Sequence, residues 1–93
     1  MKVTWQSGAY RDLASQLEYL AARNPWAAYD MDQAIEKAVR NLTDHPDMGR
    51  PGRLPGTREL VVPRTPYLVV YKAEPDAIVV VRLLHGSIRW IPR

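Results

Sequence analysis

Residue 46 divides this chain into two kinds of sequence. Seven of its eight prolines and four of its five glycines lie at or beyond that point. Proline removes a helix hydrogen bond, and glycine carries the largest entropic cost in a helix interior. Long helices are therefore confined to the first half, and the second half must be built from strands and turns. In 93 residues there is room for one small core and a single domain spanning 1–93.

Within the first half, Lys2-Val3-Thr4-Trp5-Gln6 alternates polar and apolar residues and reads as a short edge strand. Ser7 is placed to cap the helix that follows. Between Ala9 and Arg23, Tyr10, Leu13, Leu17 and Leu20 recur at helical spacing and form one apolar stripe. Asn24-Pro25 then ends one helix and begins another, because Pro suits a first helical turn and Asn caps it. The second helix spans about Trp26 to Thr43, with Ala28, Met31, Ile35, Val39 and Leu42 on one face. So short a connection forces an antiparallel helical hairpin.

His45-Pro46 closes the second helix, and Met48 to Gly56 reads as an exposed loop. Three strands follow, at Thr57–Val62, Tyr67–Ala73 and Ala77–His85, joined by Pro63–Pro66 and by Glu74-Pro75-Asp76. Connections this short make an antiparallel meander. Ile78 to Val81 lacks polar alternation, which places the last strand inside the sheet. The expected fold is α+β, in the order β-α-α-β-β-β, with the helical hairpin packed on one face of a small antiparallel sheet.

Composition excludes several classes. No apolar run approaches the ~18 residues of a membrane span, and no apolar leader follows Met1, so a cytoplasmic protein with no membrane partner is expected. The chain has no cysteine and therefore no disulfide or thiolate metal site. Asp44, His45 and Asp47 are metal-ligand types, but they sit in a proline-bearing helix exit without a second histidine nearby, so no metal and no cofactor is expected. Charge is uneven. Residues 1–48 hold five Lys/Arg against seven Asp/Glu, a balance of −2, whereas residues 49–93 hold eight against three, a balance of +5. An arginine-rich half points to an anionic partner, either nucleic acid or an acidic protein.

The ordered set Trp5, Arg11-Asp12-Leu13, Tyr19, Asn24-Pro25, Leu42…His45-Pro46, Gly49-Arg50-Pro51-Gly52, Gly56-Thr57-Arg58-Glu59-Leu60, Pro66-Tyr67…Val70-Tyr71 and Val81-Arg82-Leu83-Leu84-His85 covers nearly the whole chain. In that order and spacing it resembles the RelE/ParE superfamily of bacterial type II toxins, and the last segment is closer to ParE than to RelE. The resemblance implies a toxin neutralised by a cognate antitoxin, which carries the operator-binding half of the complex as a ribbon-helix-helix dimer. RelE-like members cut messenger RNA on the ribosome without a metal, whereas ParE-like members act on DNA gyrase.

Phosphodiester cleavage needs a group to activate the 2′-hydroxyl, one to stabilise charge on the phosphate and one to protonate the leaving oxygen. By the resemblance, RelE-like sites place lysines on the strand equivalent to Thr57–Val62 and an arginine after the tyrosine equivalent to Tyr67. This chain has Glu59, Val61 and Leu68 there. Arg58, Arg82 and His85 remain as an alternative catalytic set. A regular strand would put Arg82 and His85 on opposite faces, so sharing a site would take a bulge or the strand's end. An ion pair with Glu59 or Asp12 is the structural alternative for Arg82, and a backbone hydrogen bond is that for His85.

The leading expectation is a toxin that inhibits gyrase by binding, through Arg82, Arg89 and Trp90, without catalysis of its own. A ribosome-dependent endoribonuclease is the second reading, and a nontoxic remnant that only binds antitoxin is the third. Trp5, Trp26 and Trp90 are each candidates for core or edge packing, yet Tyr19, Trp26 and Tyr29 cannot all enter so small a core. These three are the candidate antitoxin contacts.

Overall fold

The computed structural model describes residues 1–86. Strand β1 (Lys2–Trp5) leads at once into helix α1 (Ser7–Arg23), and helix α2 (Pro25–Asp44) returns beside it. The rest is a meander of β2 (Arg50–Pro51), β3 (Arg58–Val61), β4 (Tyr67–Ala73) and β5 (Ala77–His85). The strands form one sheet in the order β1-β5-β4-β3-β2. The α+β class and the hairpin-on-sheet arrangement are as the sequence predicts.

The sheet is mixed rather than wholly antiparallel. β2 to β5 pair antiparallel, but β1 lies parallel to β5, with Lys2 opposite Ala77 and Trp5 opposite Val80. The meander leaves one edge of β5 open, and the hairpin fixes the direction from which β1 can fill it. The stretch expected as a loop, Met48 to Gly56, contains β2, which pairs Arg50 with Glu59 and Pro51 with Arg58.

The helix boundaries follow local chemistry. The Asn24 side chain accepts the Ala27 N–H at 3.2 Å, and Pro25 occupies the first turn of α2, as expected. Ser7 is not the cap of α1. The helix already includes it, and Gln6 stands at the cap position without a side-chain bond. His45 ends α2 with its N–H on the Asn41 carbonyl.

Ala28, Met31, Ile35, Val39 and Leu42 are all buried, as their spacing predicts. They meet Val69, Tyr71, Ile78, Val80 and Leu83 from the sheet. Each large aliphatic side chain buried here contributes ~2 kcal/mol. Leu13, Leu17 and Leu20 of α1 pack on that core, but Tyr10, predicted on the same stripe, is 64% exposed. Trp5 packs against the core and Trp26 does not.

One buried hydroxyl ties the end of α2 to the sheet. Tyr71 donates to the Pro46 carbonyl at 2.7 Å and accepts the Gly49 N–H at 2.9 Å. A Cβ on Gly49 would stand 2.7 Å from that oxygen, so this close approach requires glycine.

Candidate interaction surfaces

β1 stops at Trp5, and the Gln6 N–H still reaches the Val80 carbonyl at 2.9 Å. Beyond Val80 the edge of β5 faces α1 instead of a strand. Asp12 takes the place of the missing strand: its carboxylate accepts the Leu83 N–H at 3.0 Å and Arg82 Nε and Nη2 at 2.7 and 3.2 Å. The hydrogen bond to Asp12 pushes the Arg82 pKa up, against a smaller opposing effect of desolvation. Of the two partners open to Arg82 in the sequence, Asp12 is the one that holds it.

Glu59 is committed elsewhere. The residue is 3% exposed, and its carboxylate accepts the Arg53 N–H at 2.9 Å and Arg53 Nε at 3.1 Å, with Arg50 Nη2 at 3.3 Å. Burial alone would raise its pKa. The Arg53 backbone and side-chain hydrogen bonds, then Arg50, outweigh that and hold it below the usual value. A carboxylate on a strand requires such partners, since an unpaired buried charge costs several kcal/mol. In the sequence, Arg50 and Arg53 read only as residues of an exposed loop. The available signal was Glu59 itself, an acid inside a strand with two arginines six and nine residues before it.

The alternative catalytic set does not converge. Arg58 lies toward the exit of α2, on the Gly49 carbonyl at 2.8 Å and the Asp47 carboxylate at 3.5 Å. His85 stands edge-on to Tyr67, ring centroids 5.4 Å apart, and the Tyr67 hydroxyl donates to Gln16 of α1. A bulge does occur in β5, where Tyr71 faces Val80 but Val70 faces Arg82, leaving Val81 over. It precedes both Arg82 and His85, so those two keep opposite faces. Arg58 and His85 face β4 residues four apart, Tyr71 and Tyr67, a separation of ~13 Å along the strand. Burial raises the pKa of both tyrosines, which takes their hydroxyls further from proton transfer near neutral pH.

Aromatic side chains crowd the helical hairpin. Tyr19, Trp26 and Tyr29 are 57%, 79% and 60% exposed, and the Arg23 guanidinium lies 3.9 Å from the Tyr19 ring centroid. Tyr19 also borders a groove of about 630 Å³ between the hairpin and the β3–β4 turn, with Met31, Arg64 and Tyr67. Arg64 in that turn has φ +66°, a conformation that favours glycine. Arg89 and Trp90 lie outside the described residues. Among the described residues no group of three or more His, Cys, Asp or Glu could hold a metal ion, and no helix is long and apolar enough to cross a membrane.

A helical hairpin on a five-stranded mixed sheet, with paired arginines on the strands and bare aromatics on the helices, defines a small α+β domain of the RelE/ParE type. The chain belongs to the family described as the ParE toxin of the type II toxin-antitoxin system parDE, whose family model matches residues 3–90. It is 33% identical over 89 residues to the protein named "Putative toxin Y4kP" of Sinorhizobium fredii, covering 96% of this chain and 92% of that one. It is 32% identical over 80 residues to Toxin RelE1 of Caulobacter vibrioides, covering 84% and 85%. A solved structure of the chromosomal ParDE toxin-antitoxin system from P. aeruginosa superposes with a TM-score of 0.79 at 25% identity, over 91% of this chain and 95% of that one.

Proposed function

We propose that this ParE-family chain is a growth-inhibiting toxin that acts by binding DNA gyrase and is neutralised by its cognate antitoxin. The observation that carries a binding rather than a cleaving mechanism is the dispersal of Arg58, Arg82 and His85. Arg58 and Arg82 are held by carboxylates of their own, His85 stands against a buried tyrosine, and no scissile phosphate could meet all three. Arg82, with Arg89 and Trp90 beyond the described residues, supplies the target contact. Arg and Trp are the side chains that most often anchor interfaces.

The antitoxin site is the helical hairpin and the adjoining sheet edge, where Tyr19, Trp26 and Tyr29 offer aromatic surface to a segment that folds on binding. The antitoxin is of ribbon-helix-helix type and carries the operator contact. Amide hydrogen exchange across residues 10–40 slows when it binds; unchanged exchange there removes this placement.

Ribosome-dependent mRNA cleavage is the second reading, favoured by the similarity to Toxin RelE1. Mapping transcript 5′ ends after induction separates the two. An SOS response without in-frame cuts supports gyrase poisoning, and discrete cuts within translated messages support the RNase. Growth unaffected by strong induction would leave only the antitoxin-binding remnant.

A further inference from the structure

Cross-strand partners in a sheet point to the same face. The register places Arg50, Glu59, Val70 and Arg82 opposite one another across β2, β3, β4 and β5. This row lies on the face away from the helices, since the neighbouring Leu60, Val69, Tyr71 and Leu83 belong to the helix-side core. Arg53 reaches the same row through Glu59. Arg50 and Arg53 share this face with Glu59, and at its β5 edge the Arg82 side chain turns to Asp12 of α1, so three guanidinium groups stand against two carboxylates, a balance of +1.

Both carboxylates are largely buried beneath their arginines, with side chains 1% and 19% exposed, whereas Arg50, Arg53 and Arg82 remain 64%, 41% and 39% exposed. The acids hold the guanidinium groups in place, and the cations are what a partner meets. The next row is apolar: Val61 faces Leu68 and Leu68 faces Leu84; Leu68 and Leu84 are buried, and Val61, 58% exposed, is the part of this strip that a partner can reach. An apolar strip beside preoriented arginines suits a protein interface, which pairs an apolar centre with bidentate arginine contacts. The strip offers nothing to a phosphate backbone, which is recognised chiefly by charge.

We propose that this helix-free face is the toxin's target-contact surface and that it takes an acidic protein segment carrying an apolar side chain between its carboxylates. The proposal rests on the reading of the chain as a toxin that acts by binding, and it adds Arg50, Arg53 and Val61 to Arg82. Arg50 and Arg82 stand three strand spacings apart, ~14 Å, so one segment crossing the sheet can engage both ends of the row.

Arg50→Ala leaves Arg53 on Glu59 and so spares the buried carboxylate, and Val61→Asp alters an exposed side chain. Each variant, and the pair together, is induced in growing cells. The purified chains are assayed for gyrase supercoiling, melting temperature and affinity for the cognate antitoxin. The double variant should lose growth arrest and need at least tenfold more protein to inhibit its target, with antitoxin affinity within about twofold and melting within a few degrees of wild type. Folded variants that arrest growth like wild type overturn the surface. Wild-type chain that arrests growth without touching supercoiling removes gyrase as target, while the variants still judge the surface. Wild-type chain that arrests nothing removes both. Tight retention of a fluorescent duplex DNA by wild-type chain, lost in Arg50→Ala, would overturn the choice of an acidic protein as partner.

Discussion

Asp12 on the first helix and Arg82 on the last strand, 70 positions apart in sequence, meet through two hydrogen bonds of 2.7 and 3.2 Å. The same carboxylate accepts the Leu83 N–H, so one side chain both ends the sheet and orients its arginine. Asp12→Ala removes all three contacts and should lower stability by ~2 kcal/mol, a figure held down by the partial exposure of Arg82. Asp12→Asn keeps an oxygen for Leu83 and should cost about half as much. Urea unfolding of both variants checks this. Equal and negligible losses would mean that the contact contributes nothing to the fold.

Glu59 makes the fold sensitive to acid. Its folded-state pKa lies below the unfolded value, so the unfolded chain binds the proton more readily. Its contribution is complete above the ordinary glutamate range and is lost as pH falls through that range and below the folded-state pKa. Urea midpoints between pH 7 and pH 3 should therefore fall, and Glu59→Gln should flatten that dependence while lowering stability at pH 7. A variant that retains the full acid slope would place the titrating group elsewhere.

Much of this architecture is legible in the residues, and the parts that are not share a cause. The bounds of β4 and β5 agree with the sequence reading residue for residue, because Pro66 and Pro75 punctuate apolar runs of strand length. Asn24-Pro25 likewise announces its own cap. The parallel pairing of β1 with β5 leaves no local mark, since its partners lie some 75 residues away. β2 is two residues long, one of them a proline, and exists only because β3 offers it an edge. Candidate residues were legible as types, but their grouping was not. Whether Arg82 would meet Asp12 or Glu59 depended on where β1 ends, and the role of Arg50 and Arg53 depended on their turn folding back over Glu59.

Trp26 separates binding from stability. At 79% exposure it has little to lose on truncation, so Trp26→Ala should change stability by no more than ~0.5 kcal/mol. Affinity for the antitoxin should fall at least tenfold, as for an interface anchor. Calorimetry of the purified pair measures the affinity. An unchanged affinity would move the antitoxin off the helical hairpin.

Arg89 and Trp90 are tested by deletion. Removing residues 89–93 should abolish growth arrest and leave antitoxin binding nearly intact, because the antitoxin site is proposed on the helical hairpin. A melting curve run beside the growth assay decides the cause. Lost toxicity with an unchanged melting temperature supports a contact role. A fall equivalent to ~3 kcal/mol or more would make Trp90 part of the core instead.

The central claim is inhibition by binding, and supercoiling of relaxed plasmid by purified gyrase tests it most directly. Titrated with the folded wild-type chain, the reaction should slow in proportion to the toxin added. It should recover when the cognate antitoxin is supplied in equal amount. Normal supercoiling at a large molar excess of a chain that arrests growth in cells would contradict the account.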